Sequence, residues 1–494
     1  MKLRIHLIAV LAAALAFGPV PGAEAQTTIV PGTTITVNTV FDGPILVLPG
    51  QPLPCRLRDA IQAANTNQAV NGCPAGKRAR LVAVNRVEDV DQIVFSVGTG
   101  TPDIVLKTGL PPITDSVTIN GATGGATRVE VSGENIWSFY GPVDGLVVTG
   151  TFTTLKSLVV NGFSGSGIVL GYEEGDGVIV TPSRPERPDE VAGQLPGDPC
   201  GPKAFPSDPD QCPPPGGFPG DDTSTFGGTG GGSDTVIDCL VGTDAAGGAA
   251  VPNGRGGQES AGIVVLTSGN MIGGADAKSG NVISGNRGHG VLLQGVNNLV
   301  INNKIGTGLS STNISLPNDL DGIFVTGGQF AGATCEILGN TIFYNRGDGV
   351  DAGYNVCTIL ANRISSNGEL GIDRAEDGVT PNNPAATLYR RPPNFPEIWR
   401  ITMSLVPQRT QISGVIHQRS PDPITLEFFY SSACDPSGYG EGASYLGSMQ
   451  VIGSPSATQP AAFTFTTNKI FVAGYYTVTA TTEQGTSEFS ACFR

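Results

Sequence analysis

GNVISGNRGHGVL (280–292), GNTIFYNRGDGVD (339–351) and ANRISSNGELGID (361–373) share one pattern. Asn281, Asn340 and Asn362 fall in register, followed two residues on by Ile283, Ile342 and Ile364. Asn286, Asn345 and Asn367 come next, then Gly290, Gly349 and Gly371. The step is 22 residues from Asn340 to Asn362 and again from Asn281 to Asn303. From Asn303 to Asn340 it is 37, one step plus a 15-residue insertion that includes the polar loop 310–318. Short β-branched runs with Gly and Asn turns at this period describe one coil of a parallel β-helix. Such a coil cannot bury its apolar face alone, so coils must stack. Ile342 and Ile364 then form inward ladders at ~4.8 Å spacing. The Asn residues fall at turns, where Asn tolerates left-handed backbone angles and bonds to backbone.

Cysteine positions agree with this register. Cys335 and Cys357 each stand five residues before their ladder Asn, one coil apart. Stacking brings their Cα atoms to ~4.8 Å, inside the ~4.4–6.8 Å disulfide range. Neighbours in sequence suggest the further pairs Cys55–Cys73, Cys200–Cys212 and Cys434–Cys492. Aligning VIDCLVGT with VINNKIGT puts the ninth cysteine, Cys239, in the Asn slot, where a buried free thiol is expected.

Working outward, LKSLVVNGFSGSGIVL, ending at Leu170, has the coil texture. Residues 182–233 hold 12 of the 37 prolines and end in a Gly/Ser run, which reads as an insertion too polar to pack. CRLRDAIQAAN (55–65) reads as a short helix with Leu57, Ile61 and Ala64 on one face, able to plug the open end of the first coil. Beyond Pro396, closely spaced strand-like runs such as QISGVI and YYTVTATT predict a β-sandwich.

The first residues read as a secretory leader: basic Lys2 and Arg4, an apolar run from Leu7 to Phe17, and the small-residue pattern Ala23-Glu24-Ala25. Its removal takes 28 basic and 43 acidic residues to 26 and 42, a net charge of −16. An acidic surface disfavours nucleic acid. No later stretch approaches the ~20 apolar residues of a membrane helix. The expectation is an exported (secreted, periplasmic or extracellular) protein without a membrane span, and a monomer. Seventy glycines and only 14% charged residues exclude a coiled coil.

These segments together resemble secreted bacterial β-helix repeat proteins that carry a CSLREA-type motif, here CRLRDAIQAAN at 55–65. GNVISGN, INNKIGTG and LGIDRAEDGVTPNNP resemble that family's coils and exit, and ACDPSGYGEGASYLGS and TSEFSAC its C-terminal module. Arg56 stands where Ser is usual, and AATLYRRPPNFP replaces an acidic stretch after VTPN. The resemblance implies an all-β chain: a right-handed parallel β-helix with an N-terminal capping helix and a C-terminal β-sandwich. The organisation expected is a leader (1–25), a cap (26–110), coils (111–385) and a sandwich module (386–494). Related folds include pectate lyases, polygalacturonases and adhesins.

A GHG turn at Gly288–Gly290 precedes the Asp motifs DLDGIF and GDGVD, the reverse of the polygalacturonase order. Geometry offers a different constellation. His289, Asp321 and Asp348 each stand two residues before the first strand residue of successive coils, Val291, Ile323 and Val350, and should stack on the outer surface. Asp351 and Asp373 share one outward slot on adjacent coils. Carboxylates ~4.8 Å apart either raise one pKa or recruit a cation. A lyase would place Ca²⁺ on Asp348, Asp351 and Asp373, with His289, Lys304 or Arg374 as base; a retaining glycosidase would use a carboxyl pair. The solvated-edge reading of the same residues fits a stalk. The expected function is an exported protein acting on a polysaccharide or cell-surface glycan, as lyase or glycoside hydrolase. The alternative is a non-catalytic envelope adhesin or structural stalk.

Overall fold

The computed structural model describes residues 27–45, 50–83, 86–138, 141–171, 232–254, 260–276, 278–327, 334–375, 377–383, 392–420, 422–454 and 459–494. The expected leader, Cys200–Cys212 and nearly all of the 182–233 insertion lie outside them.

Apart from one helix, α1 (Leu57–Thr66), the regular structure described is strand. Three long sheets of ten, eight and seven strands are parallel throughout, save for Arg80–Ala83, which pairs antiparallel with Arg86–Phe95. The chain visits them in rotation. Met271–Gly273 lies in the first sheet, Val282–Ile283 in the second and His289–Leu293 in the third. Asn298–Ile301, Lys304–Ile305 and Ile323–Val325 repeat the circuit, as do Thr334–Leu338, Thr341–Phe343 and Val350–Asp351. This arrangement is consistent with a parallel β-helix.

The expected 22-residue register is present. Ile283, Ile305, Ile342 and Ile364 pair in succession, and all are fully buried. Glycine serves the turn where the coil tightens after Ile305. Gly306 has φ +81°, and a Cβ there would meet the Phe343 carbonyl oxygen at 2.0 Å.

Buried asparagines close the turns as hydrogen-bonded ladders. In the first, Asn281, Asn303 and Asn340 each donate N–H to the Oδ1 of the next member, Asn303, Asn340 and Asn362, at 2.8–3.0 Å. Their side-chain amides reach back to carbonyls of the preceding coil, as Asn340 Nδ2 does to Val300 O at 2.9 Å. Each rung therefore satisfies backbone groups that burial would otherwise orphan. Cys239 stands in this ladder as the alignment places it, its N–H donating to Asn281 Oδ1 at 2.9 Å. Its thiol is free and buried, and burial pushes it up to about 12.

A second ladder runs Asn253, Asn286, Asn318, Asn345, Asn367. Asn318 is thus a structural rung, not part of the polar loop to which the sequence reading assigned it. The ladder ends on a carboxylate. Glu441 Oε1 accepts the Asn367 N–H at 3.0 Å, where the next coil's Asn oxygen would sit.

The strand Thr28–Val37 pairs in parallel with Arg86–Phe95, which pairs with Val117–Asn120, so the N-terminal segment extends the first sheet. Helix α1 buries Leu57, Ala60, Ile61 and Ala64 in the same continuous core as the coils. Its first turn is fixed by ion pairs: Arg56 to Asp59 and Arg58 to Asp42, both 2.6 Å.

After residue 396, two antiparallel sheets of three and four strands enclose a second core that includes Ile412, Leu426, Phe428, Phe463 and Val478. This fits the expected sandwich. Phe429 and Phe489 pack instead into the coil core. Cys55–Cys73, Cys335–Cys357 and Cys434–Cys492 are bridged with Cα atoms 4.7, 4.6 and 6.0 Å apart. Cys335 and Cys357 are register partners on adjacent strands. Disulfides accord with an oxidising compartment, and among the described residues no helix is long and apolar enough to cross a membrane.

Candidate functional site

The third sheet carries the constellation that the coil register predicts. Val291 pairs with Ile323 and Ile323 with Val350, so the residues two positions earlier stack in turn. His289 Nδ1 lies 3.1 Å from Asp321 Oδ2, and both side chains are only 12–14% exposed. The other carboxylate oxygen, Asp321 Oδ1, accepts the Asp348 backbone N–H at 2.7 Å. The His289 ring stacks on Phe324 with centroids 4.6 Å apart and planes 12° from parallel. The Nδ1–Oδ2 approach is not aligned as a hydrogen bond, so the stacking on Phe324 is what orients the imidazole beside the carboxylate.

Asp348 is the unusual member. It is 4% exposed, and burial pushes its carboxyl up to about 9, with the charges of Asp321, Asp373, Asp351 and Glu369 adding to the effect. No described residue hydrogen-bonds its Oδ1. At neutral pH this group is a carboxylic acid, able to donate a proton.

Asp351 and Asp373 are register partners, as expected, but not the solvent-facing pair that was expected. They are 7% and 5% exposed. Each carboxylate accepts a nearby backbone N–H at 3.1 Å, Asp351 from Gly353 and Asp373 from Gly378. Among the described residues, no group of three or more His, Cys, Asp or Glu side chains is arranged to hold a metal ion.

Lys304 and Arg374 do not join the constellation. Lys304 lies on the second sheet, where its ammonium donates to Leu309 O and burial lowers its pKa. Arg374 is fully buried, its Nη2 donating to Asn355 O at 2.6 Å and its N–H to Glu488 Oε1 at 3.3 Å. It sits where the last coil meets the C-terminal module. Guanidinium stays protonated in proteins, which suits that structural place better than the role of a base.

Sequence reasoning missed the buried glutamates at this junction. Glu427 accepts the Ala361 N–H at 2.9 Å, and Glu488 accepts that of Thr380 at 2.9 Å; burial pushes both carboxyls up to about 7. The chain matches no protein-family model, no curated protein and no solved structure, so its likeness to the CSLREA-type proteins stands on the quoted motifs alone.

Proposed function

We propose that the chain is an exported right-handed parallel β-helix protein that acts on a polysaccharide or cell-surface glycan, as a glycoside hydrolase or polysaccharide lyase, at the third-sheet edge. The observation that carries this reading is the contrast between neighbours. Asp348 is a buried acid pushed up to about 9, while Asp321 one coil away lies against an imidazole. A buried acid that holds its proton, with a second carboxyl one coil away, offers a proton donor and a base or nucleophile, the division that glycosidic cleavage uses. In this role Asp348 delivers its proton to the leaving oxygen, and Asp321 with His289 supplies the basic partner.

The test is incubation with a panel of neutral and acidic polysaccharides, reading both reducing ends and the ultraviolet absorbance of unsaturated uronates. Product on one polymer, lost in Asp348→Asn while the fold persists, supports the reading. No product on any polymer rejects it.

A second reading, a non-catalytic adhesin or stalk, is favoured by the burial of Asp348, Asp351 and Asp373, at 4, 7 and 5% exposed. On that reading the carboxylates serve turns, and the panel yields no product.

A further inference from the structure

Where α1 ends against the first coils, a cavity of about 580 Å³ opens, lined by Asn67, Arg78, Thr114, Asp115, Ser116 and Thr151, among others. Its walls are held in place. Asn65 ties the helix to the coil, accepting the Thr114 N–H at 2.9 Å and donating to Pro112 O at 2.7 Å. Ser116 Oγ donates to Thr151 O at 2.6 Å, joining one coil to the next. Asp115 Oδ1 accepts the Ser116 N–H at 2.8 Å. Asn67, the helix C-cap, is held in the left-handed conformation at φ 57°.

The hydrogen-bonding capacity left over is specific. Asn67 Nδ2 reaches Asp115 Oδ2 at 3.5 Å, which sets the orientation of the amide, because a flipped amide would set oxygen against oxygen. Asn67 Oδ1 is then buried within the wall, which leaves the accessible polar groups to its neighbours. Beside it are the Asp115 carboxylate, threonine hydroxyls and the exposed guanidinium of Arg78. No aromatic or branched aliphatic side chain lines the cavity among the described residues. That lining offers nothing to a lipid or an apolar peptide anchor. An acceptor at Asp115, a donor at Arg78 and threonine hydroxyls that do both match a ligand whose neighbouring groups each both donate and accept, as vicinal hydroxyls do. Asp115 and a chain charge of −15 disfavour anions.

We propose that this cavity binds a short, uncharged saccharide through its vicinal hydroxyls. The site shares no residue with the Asp348 edge, so it stands or falls apart from the catalytic reading. The volume is within the roughly 300–1,000 Å³ of small-ligand sites.

The test is calorimetric titration of the full chain with cellotetraose, xylotetraose and mannotetraose, with tetragalacturonate as the charged comparison. At least one neutral tetrasaccharide binds, and tetragalacturonate binds more weakly. Asp115→Asn weakens binding about tenfold, the change that a lost hydrogen bond of ~1.4 kcal/mol gives. Arg78→Ala, at an exposed position, does the same and guards against a folding defect in Asp115→Asn. Asp348→Asn binds as the wild type does. Three results would each overturn the proposal: no neutral tetrasaccharide binds, tetragalacturonate binds as tightly and is weakened by the same two cavity variants, or both cavity variants bind the neutral tetrasaccharide unchanged.

Discussion

Replacing Asn340 by Ala tests whether the ladders hold the coils together. Asn340 is fully buried, and its Oδ1 accepts the N–H and the side-chain amide of Asn303 at 2.9 and 3.0 Å. Its Nδ2 donates to Val300 O and Asn362 Oδ1 at 2.9 and 3.0 Å. In Asn340→Ala, Asn303 Nδ2 still has Ile272 O and Asn362 Oδ1 still has the Asn340 N–H. The Asn303 N–H loses its acceptor, and Val300 O loses the amide that donates to it. At ~1–3 kcal/mol for the buried N–H left unsatisfied and ~0.5–1.5 kcal/mol for the bond lost at Val300 O, which keeps its place in the sheet ladder, the expected loss is about 1.5–4.5 kcal/mol. Urea unfolding followed by far-ultraviolet circular dichroism measures it, with exposed Asn313→Ala as a control expected within ~0.5 kcal/mol of wild type. Asn340→Asp adds a sharper signature. An ionised Asp still accepts from Asn303 but sets a second acceptor against Asn362 Oδ1, whereas a protonated one donates. Its deficit should shrink in acid. An Asn340→Ala variant as stable as the control would refute the ladder account.

The buried carboxyls set the pH response. Glu427 and Glu488 are raised to about 7 and Asp348 to about 9, so between the ordinary carboxylate range and those values the folded state binds more protons than the unfolded one. Stability contributed by these groups is therefore greatest in mild acid and declines as pH rises. A higher melting temperature at about pH 5 than at about pH 8, with the slope flattened in Glu427→Gln, is the expected result. Glu441→Ala removes the acceptor that ends the second ladder and should cost ~1–3 kcal/mol, and Glu441→Gln less, both read from urea midpoints. Replacing Cys335 and Cys357 together by Ser opens a 22-residue loop and should cost ~3 kcal/mol; peptide mapping of the non-reduced wild type should show the two joined.

The coil register was legible because it repeats. A fixed step aligned Asn281, Asn303, Asn340 and Asn362, placed Cys239 among them and paired Cys335 with Cys357, and the hydrogen bonds follow that alignment. Asn318 was misread because an insertion displaces it from the step, although its place before DLDGIF was a usable signal. Lys304 directly follows a first-ladder Asn, a position that belongs to the second sheet, so the register itself separates it from His289. Burial was harder to read. Asp351 and Asp373 alternate outward within their strands, yet each turns back onto a backbone N–H of the segment that follows it and is buried, which a strand pattern does not show. Glu427, Glu441 and Glu488 look like surface residues in a sandwich sequence. Only docking on the last coil makes them caps.

The central claim is that the third-sheet edge keeps the Asp348 acid protonated beside Asp321 and His289. Infrared difference spectroscopy of wild type against Asp348→Asn across a pH titration measures this directly. The account predicts a protonated-carboxyl band at neutral pH that is absent from the variant and titrates near 9. A wild-type carboxyl already ionised at neutral pH, with no band lost in Asp348→Asn, would contradict it.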